Sequence, residues 1–322
     1  MTLLAVEDLA IEVPGGRAVD GLSFTLEPGE VLGLVGEGGA GKSLAGAAII
    51  GMLPAAARVA AGRVLLDGER IDDLDETDWE DLRGTRIAAV FADACAALDP
   101  LQTVGSLLSE ALHARYPLTN KVADERIGDW LRAVGLPLEC IGARPHDLSR
   151  AMCQAVALAL ALCIAPELLV ADEPAQALDA AQRAQLAALL RRTARRQRTA
   201  VLLISRDLRG VAAAADRIGV MYAGQLVELA ATTDLLRAPA HPYTAALLAS
   251  LPGPVRRRQR LPVIDGAMPP PDEMPRGCAF HPRCGRVVAR CRVERPALWP
   301  AGTACWQPLP ASAAAAGGGA RG

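Results

Sequence analysis

Short apolar runs alternate along the chain with longer stretches of helical periodicity. Apolar runs bounded by turn residues predict strands at Val31–Val35, Ile87–Phe91, Leu168–Ala171, Ala200–Ile204 and Arg217–Tyr222. Leu3–Val13 and Leu22–Leu26 read as antiparallel β, and Leu44–Met52 reads as a helix. Between Asp93 and Cys163 the pattern is mostly helical, as an insertion between two halves of a core would be. Its most apolar part, Ala155–Ala165, is shorter than the ~18 residues of a membrane span and predicts a buried helix. Strands alternating with helices predict an α/β fold, a sheet sandwiched by helices. From Leu251 the chain shifts to Pro, Arg and Cys, which marks an appendage, and the Ala/Gly-rich end, 311–322, predicts a disordered tail.

Composition narrows this picture. The 322 residues are 51% hydrophobic but only 3% aromatic, so the core is aliphatic. A net charge of −2 carries no general nucleic-acid footprint. The basic runs Arg191–Arg198 and Arg256–Arg260 read as the solvated end of a helix and a charged linker. The first residues, Met1–Val13, hold acidic residues and no basic n-region, and do not read as a signal peptide. A cytoplasmic location is therefore expected, where cysteines are poor disulfide candidates.

The most informative run is Gly36-Glu37-Gly38-Gly39-Ala40-Gly41-Lys42-Ser43, which matches G-x-x-x-x-G-K-[ST] between a predicted strand and a predicted helix. Gly36, Gly38, Gly39 and Gly41 let backbone N–H groups turn inward around phosphate, and the helix start adds a positive dipole end. Lys42 would reach the β- and γ-phosphates of ATP, and the Ser43 hydroxyl would ligate Mg²⁺. Lysine occurs only here and at Lys121 in an otherwise arginine-using chain.

Leu168–Ala171 runs into Asp172 and Glu173. Alone, these are two exposed acids at a strand–loop junction. Opposite a phosphate loop, Asp172 can hold Mg²⁺ and Glu173 can polarise an attacking water as the catalytic base.

The order of elements resembles an ABC transporter ATPase, and more narrowly the ATP-binding subunit of the dipeptide/oligopeptide/nickel importer family. The runs that carry the resemblance are Arg17–Gly21, Ala171–Pro174, Ala177–Asp179, Val220–Gly224 and His241–Thr244. It implies a P-loop NTPase with a RecA-like mixed sheet and helices on both faces. Its ATPase domain would cover 1–250 (core 1–92 and 164–250, helical subdomain 93–163), followed by a small Cys-rich appendage over 251–310. It further implies a second ATPase subunit, two membrane permease subunits, an external solute-binding protein acting indirectly, and a peripheral place on the cytoplasmic face of the bacterial inner membrane. Asp179 would help pair the two ATPase subunits.

Four departures matter. Where the family reads Leu-Ser-Gly-Gly-Gln, this chain reads Leu148-Ser149-Arg150-Ala151-Met152. Ser149 keeps its place as a contact to the opposite subunit's γ-phosphate, but Arg150 and Ala151 put side chains where glycine allows close approach. Ala92 stands where the family carries glutamine, Arg206 where it carries the switch histidine, and Val13 where it carries an adenine-stacking aromatic. Arginine has donors only and stays charged, so Arg206 can contact phosphate but cannot accept a proton. ATP·Mg²⁺ binding is expected to survive and hydrolysis at this site to be slow, in a heterodimer with a better-preserved partner. The alternative is a non-hydrolysing pseudo-ATPase that serves a catalytic partner.

Cys278, Cys284, Cys291 and Cys305 gather in the appendage, while Cys95, Cys140, Cys153 and Cys163 are scattered and read as small core residues. Four thiolates can close a zinc or an iron–sulfur site. The resemblance implies a [4Fe–4S] cluster, with Zn²⁺ second.

Overall fold

The computed structural model describes residues 2–251, 262–298 and 302–310. The run Arg256–Arg260 and the tail 311–322 lie outside the described residues. Ten strands and ten α-helices follow in order: β1 (Leu4–Val13), β2 (Gly16–Leu26), β3 (Val31–Val35), α1 (Lys42–Ile49), β4 (Arg58–Leu66), β5 (Glu69–Arg70), α2 (Glu76–Leu82), β6 (Ile87–Val90), α3 (Ala94–Ala97), α4 (Val104–Arg115), α5 (Asn120–Ala133), α6 (Arg150–Cys163), β7 (Leu168–Asp172), α7 (Ala180–Gln197), β8 (Ala200–Ser205), α8 (Leu208–Ala212), β9 (Arg217–Tyr222), β10 (Gln225–Ala231), α9 (Thr232–Arg237) and α10 (Pro242–Ser250).

Six strands form one sheet in the order β10-β9-β3-β8-β7-β6, parallel except for β10. The other sheet is antiparallel, β2-β1-β4-β5. Alternation along the parallel strands sends side chains to two separate cores. Leu32, Leu34, Val170, Leu202 and Ile204 face the antiparallel sheet and α1. Val31, Val35, Leu169, Ala171, Val201 and Leu203 face α6, α7 and the helical segment. Burial on both faces is why these strands read as continuous apolar runs.

The predicted strands are all present, within a residue of their expected ends except β2, which starts at Gly16 rather than Leu22. Three more were not anticipated. β4 is interrupted by Gly62 at φ +83°, and β10 carries the charged Glu228 in mid-strand. β5 is only two residues long. The helical segment forms α3–α6 as expected, and the basic run Arg191–Arg198 ends α7 on the surface. Among the described residues no helix is long and apolar enough to cross a membrane.

The Cys-rich segment folds back on the ATPase core. Phe280 packs edge-on against Tyr222 and tilted against Tyr243, with ring centroids 5.1 and 5.3 Å away. Thr303 bridges β10 at Glu228, and Leu309 N–H reaches Ala240 O. Both oxygens of the buried Glu228 carboxylate accept backbone N–H groups, from Ala240 and His241.

His241 is buried at the start of α10, where its Nδ1 accepts the Tyr243 N–H at 3.0 Å. Burial pushes its pKa down from 6.5 to about 4. Between those values the unfolded chain binds a proton that the folded chain refuses. Stability therefore falls as pH drops through that window, by at most about 1.4 kcal/mol per pH unit. In urea unfolding, the native chain should lose up to ~3 kcal/mol more between about pH 7 and pH 4 than His241→Asn, whose amide can still cap α10. Parallel pH profiles for the two would contradict this.

Candidate functional site

The register of the parallel sheet builds the site. Val35 pairs with Ser205, and Ile204 pairs with Asp172, so the carboxyl ends of β3, β8 and β7 finish side by side. Open α/β sheets bind ligands at this edge. The loop after β3 must turn tightly beneath it. A Cβ on Gly36 would lie 2.2 Å from Met221 O, and one on Gly41, at φ +93°, would lie 2.5 Å from Ala18 O. Only glycine fits either place.

Lys42 opens α1 and is buried, with its Nζ donating to the Gly36 and Glu37 carbonyls at 2.9 Å each. Burial pushes its pKa down, and the Glu173 and Asp172 carboxylates oppose that shift. A compact ammonium folded over a ring of backbone amides can neutralise a polyphosphate.

Asp172 ends β7. Ser43 and Asp172 border one cavity, and the buried Asp172 Oδ1 has no protein partner. Burial pushes its pKa up, and the nearby Ser43 hydroxyl partly offsets this. A carboxylate and a hydroxyl with an unmet buried oxygen fit a hard divalent cation such as Mg²⁺. The cavity, of about 250 Å³, is also bordered by Val90 and Phe91.

Glu173 follows in the left-handed region, φ +49°, a strained backbone for a non-glycine residue. Its Oε2 accepts the Ser205 hydroxyl at 2.9 Å, and its Oε1 accepts the Arg206 N–H at 2.9 Å. The Arg206 guanidinium lies 3.4 Å from the same Oε1 and reaches toward Gly38, where a Cβ would sit 3.7 Å from Nη1. Both oxygens of the candidate base are therefore occupied, and an attacking water must compete for them.

The loop glycines, Lys42, Ser43, Asp172, Glu173 and Arg206 thus converge on one edge. Ser149 does not join them: it N-caps α6, accepting the Met152 N–H at 3.3 Å. Asp179 caps α7 in a reciprocal pair with Gln182. Ala92 is exposed, and the neighbouring Phe91 carbonyl accepts from the buried Gln154 amide at 3.4 Å.

Sequence reasoning missed three residues, two that hold the loop and one that holds Glu173. The Glu37 N–H donates to the Tyr243 hydroxyl at 3.0 Å, and the Glu37 carboxylate takes Arg283 Nη1 at 3.1 Å. Ser205 is the third, through its bond to Glu173. No local pattern links residues 246 apart. The only available signal was Tyr243 itself, a rare aromatic in an aliphatic chain.

All eight cysteines are free. Burial pushes Cys153 and Cys163 up to about 12, so both are inert core thiols. In the appendage, Cys278 is pushed up to about 11 by burial, and the charges of Cys291, Cys305 and Cys284 add to this. Two of the four sulfurs accept the N–H two residues on: Cys284 from Arg286 at 3.4 Å and Cys305 from Gln307 at 3.3 Å. Such bonds suit thiolate ligands. Among the described residues, however, no three His, Cys, Asp or Glu side chains are gathered closely enough to hold a metal ion. The donor set fits a metal group, but the arrangement does not by itself support one.

Residues 19–176 match the ABC transporter family, and residues 227–291 match the oligopeptide/dipeptide transporter C-terminal region. The chain is 38% identical to the dipeptide transport ATP-binding protein DppD of Escherichia coli over 92% of its length and 93% of that protein's. It is 37% identical to the oligopeptide transport ATP-binding protein AppD of Bacillus subtilis over 87% of each. The fold is shared with the dimeric ATP-binding cassette MJ0796 bound to ADP and Pi, at a TM-score of 0.65 and 22% identity, over 71% of this chain and 99% of that one. With a P-loop, an acid-tipped strand and relatives matched over nearly the whole chain, the protein belongs to the ABC transporter ATP-binding proteins that carry the oligopeptide/dipeptide transporter C-terminal region.

Proposed function

We propose that this chain is the ATP-binding subunit of a peptide importer of the dipeptide/oligopeptide/nickel type. It would pair with a second ATPase subunit beneath two membrane permeases on the cytoplasmic face of the inner membrane. An external binding protein would deliver the solute. The observation that carries this reading is the complete phosphate-and-cation edge, Gly36–Ser43 with Asp172, in a chain whose relatives are named as dipeptide and oligopeptide transport ATP-binding proteins. Lys42 and the loop amides would hold the phosphates, and Ser43 with Asp172 would hold Mg²⁺, which supplies charge neutralisation at the phosphates when bound.

The finer part of the proposal is an asymmetric pair. This chain's own site would turn over slowly, because Arg206 replaces a donor–acceptor imidazole and occupies the Glu173 carboxylate. Ala92 cannot position water, and Ser149-Arg150-Ala151 offers the partner's nucleotide a defective grip. Removal of one positioned catalytic group costs roughly 10²–10⁴-fold in rate. The extreme form of the same idea is a pseudo-ATPase that binds ATP and serves a catalytic partner, and it is favoured by the ion pair on the base.

The four appendage cysteines are proposed to hold a [4Fe–4S] cluster that staples a segment with little core of its own. Support comes from the four-thiol donor set and the two N–H···S bonds.

Three outcomes test these proposals. MgATP should bind the full chain, and Lys42→Ala should abolish binding measured by calorimetry; undiminished affinity would contradict the phosphate-grip role. Arg206→His should raise ATP turnover of the chain with its partner by roughly tenfold or more. An unchanged or lower rate would count against Arg206 as the restraint. Chain purified without oxygen should be brown, with stoichiometric iron and acid-labile sulfide that Cys291→Ser loses. Colourless protein with stoichiometric zinc would reverse the cluster assignment.

A further inference from the structure

The Cys-rich segment touches the candidate nucleotide site at three places. Arg283, one residue before Cys284, puts its guanidinium on the Glu37 carboxylate at 3.1 and 3.3 Å. It also donates to the Tyr222 hydroxyl at 3.3 Å and to the carbonyls of Asp265 and Ile264 at 2.8 and 3.2 Å. Its side chain is only 6% exposed, so this is no loose surface pair. Met268 lies against the loop as well: a Cβ on Gly39 would come 3.1 Å from its Cε, and its Sδ accepts the Ala223 N–H. Pro271 closes on the turn between β1 and β2, where a Cβ on Gly16 would meet its carbonyl oxygen at 2.6 Å.

Glu37 is where these contacts meet the phosphate grip. Its carbonyl holds the Lys42 ammonium, its N–H is tied to Tyr243, and its carboxylate is held by Arg283. A bare carboxylate one residue into a phosphate loop would repel the triphosphate. Arg283 offsets that charge with a guanidinium 3.1 Å away. The appendage therefore supplies a group that the phosphate loop needs, from residues far along the chain.

We propose that Arg283 is a positioning residue of the phosphate loop, and that docking of the Cys-rich appendage and binding of MgATP stabilise each other through the Arg283–Glu37 pair. The coupling is reciprocal by thermodynamic necessity: if the docked appendage raises ATP affinity, bound ATP must tighten the appendage. This rests on the reading of Gly36–Ser43 as an ATP site. A wild-type chain that binds no MgATP would refute that reading, and this inference with it.

The test uses the full chain, with MgATP affinity measured by calorimetry and hydrogen exchange followed over residues 276–292. Arg283→Ala should weaken MgATP about tenfold, because it leaves Glu37 bare. Adding Glu37→Gln to Arg283→Ala should recover most of that loss, which a merely structural role for Arg283 would not allow. Arg290→Ala, on the same appendage but paired with Glu294, should leave affinity unchanged. MgATP should slow exchange of 276–292 several-fold in the wild type and not in Glu37→Gln at saturating nucleotide. Wild-type affinity in Arg283→Ala would overturn the inference. So would a double variant as weak as the single one, or equal protection in Glu37→Gln.

Discussion

The register of three parallel strands is the constraint on which the site depends. Because β8 lies between β3 and β7, the P-loop, Ser205 and the Asp172–Glu173 pair end at one edge. A one-residue slip would turn every side chain of a strand to the opposite face. Such a slip would exchange Leu202 and Ile204 in one core with Val201 and Leu203 in the other, and close packing in both resists that misfit. The aliphatic packing that holds the domain together also places a lysine, a serine and two acids within reach of one polyphosphate.

The same edge carries the tension in this chain. Lys42, Ser43 and Asp172 stand together at this edge, with an unmet buried oxygen on Asp172, and are the proposed hold on nucleotide and cation. Glu173 sits one residue further on in a strained conformation, with Ser205 and Arg206 on its two oxygens. In the proposed asymmetric pair, grip and turnover rest on adjacent residues, so a chain that keeps the first and encumbers its base would still contribute closure.

Legibility in the sequence followed the range of the interactions involved. The strand–loop–helix around Gly36–Ser43 and the acid-tipped strand at Asp172 could be read directly, because each is encoded in one short continuous stretch of chain. The doubly buried strands could be read from their apolar runs. β4 and β10 could not, because Gly62 interrupts the first and the charged Glu228 the second, and their pairing is settled by neighbouring strands. The appendage was visible as a change of composition and a set of thiols. Its return to Glu37, Gly39 and Gly16 was not, since Arg283, Met268 and Pro271 carry no local mark of a partner more than two hundred residues away.

The central claim, that this subunit binds ATP productively but turns it over poorly, is tested most directly by ATP hydrolysis in the assembled heterodimer, with the catalytic glutamate changed to glutamine in one subunit at a time. The account predicts that Glu173→Gln here leaves most of the rate, and that the corresponding change in the partner removes it. A rate that collapses on Glu173→Gln and survives the partner's substitution would contradict it.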